Sequence, residues 1–525
     1  MKFKASFISA LEFRALHPKG VIADSDMYFA RLANKIFRIL LSDIIIKQEF
    51  SENLLRKFAL KSASYLEDIV SQWGLFDGFR KLHEQLCGNQ LPFYTLDDDY
   101  CSDEINIEDV QFLVWSTFQE DLNENEEGSC FINPDNPMIM LLGSVIFDIL
   151  DEEYEIAPEN EKIYELLHEH DYEDFISFRH LLEWLAYNSY LSTNNAKNKV
   201  ERLKASIRKE HKKDKDYAML FTYLVETNAI FYYVCTPLSV KAIDWFRAIS
   251  KNSCILERME NMSFRPFQRY KIMGSDDSFI NLESFCEDKT KISLARESMN
   301  SLDENRTREF FTGKDIVQTS LVFFDGMWEI NGASVFMEMT EEIQEEEDRK
   351  VEEKKRFKES VLYSYKELLK YNQNKDIAFF KNSDELEEFW LEAFSDAPNI
   401  EDFIKNQPFK NEYNLIMFFS PKSAAFTLPD IAKCIKYPGN KLYNNKTNHN
   451  DGLALLTGGF PSPLEFLEFI INNNYIPDAR INSIQSVERG KLLVQDNKWF
   501  IVRFFQSELF DESFIDNPQI EYIDG

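Results

Sequence analysis

Glycine is scarce in this chain, 16 residues in 525, and proline is equally so. Little backbone is therefore left for a loop that wraps phosphates, and no Walker loop, G-x-G-x-x-G, G-x-S-x-G or H-E-x-x-H occurs. The seven cysteines, at 87, 101, 130, 235, 254, 286 and 434, are odd in number and include no C-x-x-C pair. That pattern argues against zinc-type pairing and for reduced thiols in a cytoplasmic protein. No apolar run approaches the ~18 residues of a membrane span. IFRILLSDIII is cut by Arg38 and Asp43, and AIFYYVCTPLSV is short and holds Pro237. The opening MKFKASFISALEFRALHPKG has no continuous apolar region, so neither a signal peptide nor a membrane association is expected.

Positive charge is short as well, with 59 Lys and Arg against 90 Asp and Glu, a formal net charge of −31. The average field of such a chain repels a phosphate polymer and attracts a basic surface, so nucleic acid is disfavoured as a partner and another protein is favoured. One stretch runs the other way. Lys197 to Asp216 holds nine Lys or Arg against four acids, and it reads first as a solvated helix and loop.

What is present points to packed helices. The hydrophobic fraction of 44% with 28% charged residues excludes disorder over most of the chain, and 46 Phe supply the core. Phe29, Leu32, Ala33, Ile36, Phe37, Leu40, Leu41 and Ile44 repeat at three and four residues after a start near Asp26, which Asp24 or Ser25 would cap. A second amphipathic helix follows from Glu52 to about Gln72, closed by Gly74. Strand-like alternation persists only in the middle of the chain, in RPFQRYKIMG, FINLESF, TKISLARESM, KDIVQTSLVFFDG and MWEINGA. Asp325-Gly326 is a hairpin turn signal between the last two.

The expected fold class is α+β, mainly α. A helical region spans 1–255, itself divisible near 1–125 and 126–255. A small antiparallel β module at 256–340 follows, a curled sheet or a barrel of oligonucleotide-binding or SH3-like size. A charged connecting helix at 341–372 carries Glu and Lys or Arg four apart, and a C-terminal α+β unit occupies 373–525.

Several stretches together resemble a known family. They are His17-Pro18 with Ser25-Asp26-Met27-Tyr28-Phe29, INPDNP, Ile156-Ala157-Pro158-Glu159-Asn160-Glu161, Gly326-Met327-Trp328-Glu329-Ile330-Asn331-Gly332, LPDIAKCIKYPGN, NNNYIPDA and LVQDNKWFIVRFF. In the same order they are similar to a bacterial family known only as a domain of unknown function. The resemblance spans nearly the whole chain and implies a bacterial cytoplasmic protein, with no activity, cofactor or catalytic residue to carry over.

Candidate site residues are few. His17 beside Asp24 and Asp26 is the minimum for acid–base work, although a His-Pro turn followed by helix-capping acids accounts for the same residues. His168 and His170 would share a face of an extended segment as metal ligands, and a capping loop between two helices accounts for them as well. The polar loop from Tyr437 to Gly459, with Asn448 and His449, is the longest surface for binding. Trp328 and Asn331 lie on opposite faces of the last β-module strand: Trp328 faces the core with Ile330, while Asn331, Met327 and Glu329 face solvent or a neighbour. As a core ring, Trp328 would cost about 3 kcal/mol or more to truncate; as an exposed one it would anchor a partner. No cofactor is called for. The expected function is a non-enzymatic interaction or adaptor protein, with a hydrolase using His and carboxylates as the alternative. From the charge alone, a gel shift with duplex DNA at physiological salt should show no complex at micromolar protein.

Overall fold

The computed structural model describes residues 7–125, 130–287, 289–296, 315–395, 400–444, 446, 449–483 and 485–512. The fold is α+β and mainly α, and it divides into two compact units. The first comprises Met1–Asn125, Asn136–Val351 and Phe510–Gly525, the second Glu126–Asp135 and Glu352–Leu509.

The first unit begins as packed helices. The helix Asp26–Ser42 buries Phe29, Leu32, Ala33, Ile36, Phe37 and Leu40 on one stripe as their spacing predicts, but Leu41 is only half-buried and Ile44, beyond the end of the helix at Ser42, is exposed in the next helix, Ile44–Glu49. It packs on Glu52–Ser71, whose start is fixed by Ser51 Oγ accepting from Leu54 N at 3.2 Å. Two end assignments differ from the sequence reading. Ser25 holds the N-cap position with helical backbone and no side-chain cap bond. The second helix closes on Gln72, itself left-handed at φ 54°, and Gly74 instead opens the next helix, Leu75–Cys87.

The five alternating stretches form β1 (Ser263–Ser275), β2 (Phe279–Ser284), β3 (Lys291–Ala295), β4 (Ile316–Phe324) and β5 (Met327–Met337). They close as a barrel in the order β1-β2-β3-β5-β4, with β1 returning to β4. Every neighbouring pair is antiparallel except β3 and β5, which meet in parallel at Leu294 and Trp328. This strand order is that of five-stranded Greek-key barrels of the oligonucleotide-binding type, a likeness of topology that brings no ligand with it. Asp325 and Gly326, both at positive φ, make the two-residue turn between β4 and β5, as the Asp-Gly signal requires. Pro266 sits at a β1 bulge between Arg265 and Gln268, where a missing N–H breaks no ladder bond.

The barrel interior is filled by Tyr270, Ile280, Leu282, Ile292, Leu294, Val317, Leu321 and Ile330. Trp328 packs against this cluster from the side Ile330 takes, as alternation predicts, but it is only partly buried. The Arg265 guanidinium lies 5.4 Å over its ring and Phe323 packs beside it at 5.4 Å. Neither the sealed core ring nor the bare exposed anchor describes it.

In the second unit β6 (Ile377–Asn382), β7 (Tyr413–Ser420) and β8 (Ala424–Leu428) form an antiparallel sheet with β7 central. Leu415, Met417 and Phe419 point to the face shared by Leu368 and the helix Ser383–Ala393. Phe418 points to the other, against Phe466 and Phe469 of Leu464–Asn472. LLVQDNKWFIVRFF is two helices, Val487–Gln495 and Lys498–Phe505, broken at Asp496-Asn497. Arg489 grips Asp135 through Nε at 3.0 Å and Nη2 at 3.1 Å, which ties Asp135 to this unit. No helix among the described residues is long and apolar enough to cross a membrane.

Because Trp328 is half-buried, Trp328→Ala should cost about 2 kcal/mol, below the ~3–5 of a fully buried ring. Urea unfolding would measure this, and an unchanged midpoint would remove the ring from the packing of the barrel.

Candidate functional site

The His17 cluster is real as geometry. Helix Ala10–Arg14 is capped by Ser9, and the chain then turns at His17-Pro18 so that the imidazole points inward. His17 Nε2 lies 2.9 Å from Glu67 Oε2, and Nδ1 lies 3.3 Å from Asp26 Oδ1. Asp26 Oδ2 accepts from Arg14 Nε at 2.7 Å and from Ala23 N at 3.2 Å. Asn160 Nδ2 donates to the second oxygen of Glu67 at 2.8 Å, while Phe13 and Trp73 present ring edges to the imidazole. Asp24, the third residue of the sequence triplet, is exposed and stands outside the cluster.

Burial alone would lower the His17 pKa. The carboxylates of Glu67 and Asp26 outweigh it and raise the value to about 9. The result is an imidazolium between two carboxylates, with Arg14 supplying the second positive charge. The side chains of His17, Asp26 and Glu67 are 1%, 1% and 0% exposed. Chemistry of this kind with no exposed face joins the N-terminal turn to the Asp26–Ser42 and Glu52–Ser71 helices. Glu67 was the member that sequence reasoning missed. Its signal is an acid among the inward positions Ala59, Ser62, Ala63 and Leu66.

A neighbouring polar network is equally sealed. Asp109 accepts from Tyr65 Oη and Tyr100 Oη, each at 2.9 Å, and Asp68 accepts from Tyr190 Oη at 2.7 Å and from Phe76 N at 2.9 Å. Burial pushes Asp109 up to about 7 and Asp68 up to about 6, against those hydrogen bonds.

The two histidines proposed as a metal pair do not converge. His168 ends the helix Glu161–His168, with Nε2 3.0 Å from Trp73 O and Nδ1 accepting from Lys251 N at 3.2 Å. His170 is exposed, its ring edge-on to Tyr172. Among the described residues no group of three or more His, Cys, Asp or Glu is arranged to hold a metal ion.

Asn331 corrects the expectation of a solvent-facing binding residue, because it is fully buried. It accepts from Arg179 Nη1 at 2.9 Å and donates to Asn228 Oδ1 at 2.8 Å, and Ser320 Oγ donates to the same Asn228 oxygen at 3.0 Å. At Asn331 the face of β5 opposite Trp328 is covered by the helices Phe175–Tyr187 and Lys215–Tyr232, whereas Met327 and Glu329 on that face are half-buried. Asn448 lies outside the described residues. His449 is half-buried and opens the helix His449–Leu456, so the segment read as one polar loop is partly helical.

The site with access is elsewhere, in the second unit. A pocket of about 790 Å³ opens beside β8, lined by Leu368, Trp390, Phe394, Phe403, Phe409 and Phe426 among others, and by the run of residues from Ser423 to Thr427 that leads into and along β8. Trp390 and Phe394 stack one helical turn apart, and Phe403 meets Trp390 edge-on at 5.0 Å. β8 is the sheet's edge, pairing only with β7 among the described residues. No motif marks these aromatics, because spacing that lines a pocket also fills a core.

Over residues 8–265 and 315–507 the chain matches a family model described as "Protein of unknown function (DUF3843)", and it belongs to that family. No curated protein and no solved structure matches it.

The His17 ion pairs carry a pH signature. With a folded pKa of about 9 against 6.5 unfolded, their contribution is full below pH 6.5 and lost as pH rises through 9. That is roughly 3 kcal/mol at most. Denaturation midpoints at pH 6.5 and 9 should fall in the native chain, and His17→Gln should flatten this fall; an equal slope in both would detach the loss from His17.

Proposed function

For a member of a family whose description states no activity, we propose a non-enzymatic interaction protein whose C-terminal unit receives an extended, basic segment of another protein. The observation that carries this reading is the aromatic pocket beside an open edge strand. An edge strand offers unpaired backbone groups to a peptide that adds as a further strand, and a pocket alongside accepts one of its side chains. The aromatic lining suits an apolar anchor of the kind that dominates binding energy.

Charge supports the class of partner. The two helices that line the pocket, Ser383–Ala393 and Ile400–Lys405, carry Asp384, Glu385, Glu387, Glu388, Glu392, Glu401 and Asp402 against Lys405 alone. A basic flank on the incoming segment would be steered toward them and an acidic one repelled. The scattered cysteines support a cytoplasmic address. The hydrolase alternative draws no support from His17 and Asp26, which are sealed, or from Asp24, which stands apart.

Fluorescence polarisation with labelled extended peptides tests this reading. Peptides with a central aromatic residue flanked by Lys or Arg should bind the full chain, and the same peptides flanked by Asp or Glu should not. Phe403 is 42% exposed, so Phe403→Ala should leave the fold intact and weaken binding about ten-fold. Absence of binding by the whole set, or binding indifferent to both flank charge and Phe403→Ala, would refute the proposal.

A further inference from the structure

We infer that the tip of the helical hairpin Asn194–Glu210 and Lys215–Tyr232 binds a compact ligand bearing more than one phosphate. The two helices are joined by a short turn, and a pocket of about 420 Å³ opens there, lined by Arg208, His211, Lys212, Lys215, Met219 and Thr222. With Ala218 the lining numbers seven residues, of which three are Lys or Arg and a fourth is His, in a chain of net charge −31.

A solvated basic face accounts for charge on a helix, and Arg208 in the last turn of its helix is well placed against the helix dipole. It does not account for convergence without compensation. Further up the same helix Lys204 reaches both Glu201, at 2.9 Å, and Glu226, at 3.5 Å. Arg208, Lys212 and Lys215, by contrast, have no carboxylate within ion-pair distance among the described residues. The nearby acids are partly committed: Glu210 accepts from Ser206 Oγ at 2.7 Å, and Asp214 caps the second helix by accepting from Tyr217 N at 3.0 Å. Asp216, in the first turn, is exposed.

The pocket is also held in shape. The His211 ring lies 4.3 Å from Tyr217, which stacks on Phe221 at 4.2 Å, so the imidazole sits at the rim on a fixed aromatic column. Lys and Arg around a concave site are the groups that hold phosphate oxygens through charge-assisted bonds. The volume falls in the range of small-molecule sites. A phosphate polymer would run beyond this patch into the field of the remaining acids, whereas a compact polyphosphate group stays within it.

Isothermal titration of the full chain with inorganic pyrophosphate tests the site. Saturable binding is expected at low salt, weaker at physiological salt. The double variant Lys212→Ser/Lys215→Ser should bind about ten-fold more weakly or worse, at an unchanged melting temperature because both residues are exposed. A short single-stranded oligonucleotide forms the second arm and should bind less tightly than pyrophosphate. No saturable pyrophosphate binding, equal binding by the double variant, or tighter oligonucleotide binding lost with the same two lysines would each overturn the inference, the last by assigning the site to a polymer.

Discussion

The first unit depends on a buried polar junction where the barrel meets its helices. β5 departs from regular pairing with β4 after Ser320 and Asn331, and Gly332 and Ala333 occupy the extra length before pairing resumes at Thr319 and Ser334. Such an irregularity frees backbone groups that must find partners once covered. Side chains of β4 meet two of them, Ser320 Oγ donating to Asn331 O and Thr319 Oγ1 to Ala333 O at 3.0 Å, while the Asn331 side chain reaches across to the helices, its Nδ2 donating to Asn228 Oδ1 at 2.8 Å and to Thr227 O at 3.3 Å. Gly332, at φ 91°, is where only glycine fits, since a Cβ would meet Thr227 Oγ1 at 2.8 Å. The Arg179 charge is shared with Glu183 at 3.1 Å and Tyr223 Oη at 3.2 Å. Removing one member leaves the others unsatisfied in low dielectric, which makes the junction cooperative and sets how the helices seat on the barrel.

That junction explains why alternation succeeded on one side of β5 and failed on the other. Inward and outward positions follow from period two, so Trp328 and Ile330 could be placed toward the core from sequence alone. What covers the outer face is a matter of tertiary packing with residues about a hundred or more positions away, and Asn331 looked like any solvent-facing asparagine. The Asp-Gly hairpin and the Asp26–Ser42 stripe were legible because their causes are local. The parallel meeting of β3 and β5 was not, nor was β6, a single short apolar stretch after a long charged helix. Gly74 shows a subtler ambiguity: a glycine between two helices can end one or start the next, and Gln72 had already taken the left-handed position.

The candidate site was less legible than the fold for a related reason. Aromatic residues at helical spacing have the same pattern whether their far side meets another side chain or an opening. Phe394 therefore passes as core with the other Phe residues, while the sealed His17 and Asp26 stand out as candidates for chemistry. Only Glu67, an acid among inward small residues, hinted that the His17 charges would be answered inside the protein.

Perturbed ionisation by itself then misleads in this chain. His17, Asp68 and Asp109 are all shifted, and all are buried in networks whose hydrogen bonds are largely made within the protein. Structural ion pairs shift pKa values by the same physics that tunes active sites. The residues with chemistry left to offer are the opposite kind: charged groups that no carboxylate answers although the chain has many to supply. With 90 acids present, a cation that remains unpaired beside other unpaired cations in a pocket is held there against a strong average field. Arg208, Lys212 and Lys215 line one pocket with no carboxylate in ion-pair contact among the described residues, so an arriving anion would meet charge the chain has left open and would have no existing ion pair to displace.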